Sequence, residues 1–120
     1  MEETALDIGV MLLEKRGFYQ INAALTQALA DRDHAYAFLD ALEEWYRNML
    51  LLSLPETEDL AEDGARNRLE RLVRMKKFRH LVRRDAVYRN VHLIEEARRD
   101  LNRNINAGYA LKGMVLQMMN

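Results

Sequence analysis

The chain predicts an all-α fold, a single bundle of about five to six helices. Three observations carry this. Apolar residues recur three and four positions apart through most of the 120 residues, the spacing that lines one face of an α-helix. The strict alternation of a half-buried strand takes hold nowhere. With five glycines and one proline, the chain has few of the residues that break helices. At this length one domain, 1–120, is expected, large enough to bury a single core without staples.

The first helix, about Glu3 to Lys15, carries Leu6, Val10 and Leu13 on one stripe, and Gly17 suits the position just past its end. A second runs from Tyr19 to Ala30 with Ile21, Ala24, Leu25, Ala28 and Leu29. The third, Asp33 to Leu54, organises the rest. Its face holds Ala35, Phe38, Leu39, Leu42, Tyr46, Met49 and Leu50, and Asp31 or Asp33 caps its start. Pro55 ends it, because proline has no N–H to donate and disfavours the helical region for the residue before it. At 1.5 Å per residue it is about 30 Å long, the width of a small domain.

A loop follows, Pro55 to Gly64, with five acids and no base. From Ala65 a basic helix presents Leu69, Leu72 and Val73, then Phe78, Leu81 and Val82. Its phase shifts near Arg83–Asp85, where a break is expected with Asp85 capping the next helix. That helix, Asp85 to Arg103, spaces Val87, Val91, Ile94, Ala97 and Leu101 regularly. Asparagines and a glycine over Asn102–Gly108 favour a turn. A last helix, about Tyr109 to Met119, shows Leu111, Val115 and Met118. Short connections between helices argue a bundle.

The absence of cysteine excludes a disulfide framework and a thiolate metal site. No apolar run approaches the roughly 18 residues of a membrane span, and the start, MEETALD, is not signal-like. The expectation is a soluble, cytoplasmic protein. The net charge of −1 conceals an asymmetry: residues 1–63 hold 14 acids and 4 bases, residues 64–120 hold 14 bases and 5 acids. Such halves attract each other within one bundle, or offer faces of opposite sign to different neighbours.

Catalysis needs converging polar groups, and few are in sight. His34, His80 and His92 stand on different segments, and the paired Glu-x-x-His motifs of a di-iron bundle are missing. No H-E-x-x-H, P-loop, G-x-G-x-x-G or G-x-S-x-G occurs. Glu43–Glu44 and Glu95–Glu96 are adjacent on helices and so face different ways. The chain is expected to hold no catalytic residue, no metal and no cofactor. Arg66–Arg84 holds nine bases against Glu70. These residues, with Arg71, Arg74, Lys77, Arg83 and Arg84 as the possible basic patch, either pair with acidic surfaces or track phosphates with steep salt dependence.

Two groups are candidates for contact with another chain. Trp45 lies off the main stripe of its helix beside Arg47, and the helix is apolar nearly all round from Trp45 to Leu54. A helix of that kind is central in its bundle or meets a neighbour, and aromatic and Arg residues anchor such meetings. Met114 and Met118 are either core or an adaptable docking surface. Asn104 and Asn106 are turn residues, since their side chains bond nearby backbone groups.

Two phrases resemble one family. ALEEWYRNMLLL is similar to the central helix in the C-terminal domain of bacterial DNA polymerase III delta-prime subunits, and IEEARRDLNRNINAGYALKGMVLQM is similar to that family's ending. The matching positions in the second are Ile94, Ala97, Leu101, Asn104, Ile105, Asn106, Ala110, Leu111, Val115 and Leu116. The resemblance brackets residues 38–118. Asn48, Ala107 and Lys112 depart from the family pattern, where an acid, a proline and a glutamate are usual.

The resemblance implies the collar domain of a clamp loader, the pentameric AAA+ machine that sets the sliding clamp on primed DNA. The chain would then be the C-terminal part of a longer subunit. Its partners would be the other clamp-loader subunits, held by helix packing, with no chemistry of its own. The collar domain of a tau/gamma or delta subunit is the nearest variant. The alternatives of other classes are a nucleic-acid-binding module using Arg66–Arg84 and a stand-alone homo-oligomeric bundle.

Overall fold

The computed structural model describes residues 1–52 and 78–120, and the described residues form an all-α bundle of five helices with no strand. The expected acidic loop 55–64, the basic helix from Ala65 and the stop at Pro55 lie outside the described residues. Helix α1 spans Glu2–Leu13, with Glu2 and Glu3 in the first turn, where the exposed N–H groups favour negative charge. Lys15, not Gly17, takes the left-handed position past its end, with φ 56°. The Lys15 and Arg16 amides donate to the carbonyls of Leu12 and Met11, closing the helix in a Schellman turn. The chain reverses as soon as α1 ends, so the residue in that place must bend left-handed whatever its type. Gly17 is extended instead and opens α2, Phe18–Leu25.

The second helix was expected to run on to Ala30. It tightens into a 3-10 turn at Thr26–Leu29. Asp31 then caps α3, Arg32–Leu52, by accepting from the His34 amide at 2.8 Å, so Asp33 lies within the first turn. A 3-10 turn at Arg79–Leu81 precedes α4, Arg84–Asn102. The expected break falls at Arg83, whose backbone is extended (φ −115°, ψ 123°). Asp85 is a first-turn residue of α4 rather than its cap, because the helix begins one residue earlier, and its carboxylate lies 3.3 Å from Arg83. Helix α5 spans Ala107–Met118.

Helix α3 is the middle of the bundle, packed against α1 and α4 and touching α5. Phe38, Leu39, Leu42 and Met49 on α3 are enclosed by Ile8, Ile21, Leu25, Ile94, Leu101, Leu111 and Val115 from the other helices. Each fully buried side chain of this size stabilises the fold by about 1.5–3 kcal/mol.

Candidate association surface

The buried residues remove three of the expected contact residues from the surface. Trp45 is only 4% exposed and lies under α1. A Cβ built on Gly9 would stand 2.3 Å from its Nε1, so α1 crosses α3 at a point where only glycine leaves room for the indole. The indole N–H has no hydrogen-bond partner among the described residues. Met114 and Met118 face inward as core, since α5 turns the stripe Ala110, Leu111, Met114, Val115, Met118 toward the bundle. Arg47 is exposed, 3.5 Å from Glu43 one turn earlier.

Polar links tie the helices to each other. Arg98 on α4 reaches Asp40 at 2.8 Å and Glu43 at 3.2 Å on α3, a direct pairing of the basic half with the acidic half. Partial burial opposes its charge, but the bonds to Glu43 and Asp40 outweigh that and hold the guanidinium protonated above its ordinary range. In the core, Asn90 Nδ2 donates to the Tyr46 hydroxyl at 3.1 Å. Burial pushes the Tyr46 phenol up to about 12, against the smaller opposite pull of the Asn90 bond and Arg89. Arg89 donates to the Asn90 side chain and to the carbonyls of Met118 and Asn120, closing the C-terminal end of α5. At the other end Arg32 donates to the Leu101 carbonyl at 2.6 Å, and the Tyr36 hydroxyl to Asn102.

The Asn104–Asn106 turn joins α4 to α5 with each asparagine in a separate role. Asn104 is left-handed (φ 63°), and the amides of Asn104 and Ile105 donate to Leu101 and Asp100. Asn106 Oδ1 accepts from the Tyr109 amide at 3.0 Å and caps α5. Both are structural in this geometry.

His34 lies 2.7 Å from Asp31, and His92 3.2 Å from Glu96. The His34 backbone amide, and then its ring, hold the Asp31 carboxyl below the usual range. Among the described residues, no group of three or more His, Asp or Glu could hold a metal ion. Of the basic patch, Arg71, Arg74 and Lys77 lie outside the described residues, while Arg83 and Arg84 are exposed at the start of α4. No described helix is long and apolar enough to cross a membrane.

Among the described residues, one groove of about 650 Å³ lies between α4 and α5. Leu93, Ala97, Ala110 and Met114 form its floor, and Tyr109 and Leu116 its outer wall. Tyr109 is 76% and Leu116 47% exposed. These two lie seven residues apart, on the face of α5 opposite its buried stripe. The sequence pattern singles out the methionines of the other face as the adaptable residues, and neither Tyr109 nor Leu116. The signal was there: a helix with large apolar residues on both faces. Compared with protein-family models, with curated proteins and with solved structures, the chain matches none.

Proposed function

We propose that the chain is a subunit-association domain, and that the assembly it serves is a bacterial clamp loader, in which it acts as the collar of a delta-prime subunit. The observation that carries the association reading is the α4–α5 groove, walled by the exposed Tyr109 and Leu116. Apolar side chains left in water on a helix that already has a buried face gain by being covered. The delta-prime assignment is supported by the phrases around Trp45–Arg47 and Ile94–Leu116, which supply α3 and the α4–turn–α5 unit.

On this reading the domain works in the cytoplasm, binds no nucleotide and catalyses nothing. It holds the ATPase modules of its neighbours in order through rigid helix packing. Arg98, Arg89 and Arg32 serve that rigidity by locking α3, α4 and α5 together. Co-expression of a tagged chain with tau/gamma and delta subunits tests the proposal. The chain is expected to purify in stoichiometric complex with them; recovery of the chain free of both subunits refutes it.

A further inference from the structure

We draw no further inference here: the strongest candidate, the apolar groove between α4 and α5 walled by Tyr109 and Leu116, belongs to the association surface already described, and nothing in the structure shows what covers it.

Discussion

Gly9 and Trp45 share one site: the indole Nε1 lies where a Cβ on residue 9 would be, 2.3 Å from it. The helix crossing that seats α1 on α3 depends on this pair. Gly9→Ala should therefore destabilise the fold even though alanine favours the helix by about 1 kcal/mol. Displacing a rigid indole in a packed core costs about 1–3 kcal/mol, and the net loss should appear as a lower urea midpoint. Trp45→Ala should cost about 3–5 kcal/mol; a nearly unchanged midpoint in that variant would mean that the indole lies outside the core.

Two helix ends offer changes of opposite sign. Lys15 occupies a left-handed position that glycine adopts without penalty. Lys15→Gly should raise stability by about 1 kcal/mol, or leave it level where the greater freedom of the unfolded chain offsets the gain. Asn106→Ala removes the oxygen that accepts from Tyr109 and should cost about 1 kcal/mol. Thermal melts of the two variants check both signs together.

Tyr46→Phe leaves the buried Asn90 amide without its acceptor, at a cost of about 1–3 kcal/mol. The effect depends on pH. The buried phenol ionises at about 12 in the fold against 10.0 for a free tyrosine. A pKa raised on folding gives a contribution that is whole below about pH 10 and is lost as the pH climbs toward 12. The stability difference between the natural chain and Tyr46→Phe should be level below pH 10 and shrink above it. A difference that is constant or grows over that range would contradict the buried phenol.

The helices were legible because their apolar stripes repeat with the helical period. Phe38, Leu39, Leu42 and Met49 stand in the core of the bundle as one such face. Helix ends were less so: the left-handed residue after α1 is a lysine, and nothing local marks it. The place of Trp45 depended on where α1 crosses α3, a tertiary fact whose one local trace is a glycine in mid-helix at position 9. The methionines of α5 were open to two readings at the same spacing, and packing chose the core. The links from Arg98 to Asp40 and Glu43 and from Arg89 to the end of α5 join residues far apart in sequence, so no pattern within a window could announce them. The groove depends on which face of α5 turns outward, and packing against the other helices decides that.

The claim that this face is an association surface is tested most directly at Leu116. It is exposed, so Leu116→Glu should leave stability within about 0.5 kcal/mol of the natural chain. Calorimetric titration of the natural chain and of this variant into a clamp-loader complex lacking delta-prime is the decisive comparison. The account predicts binding by the natural chain and its loss in the folded variant. Equal binding by the two would contradict it.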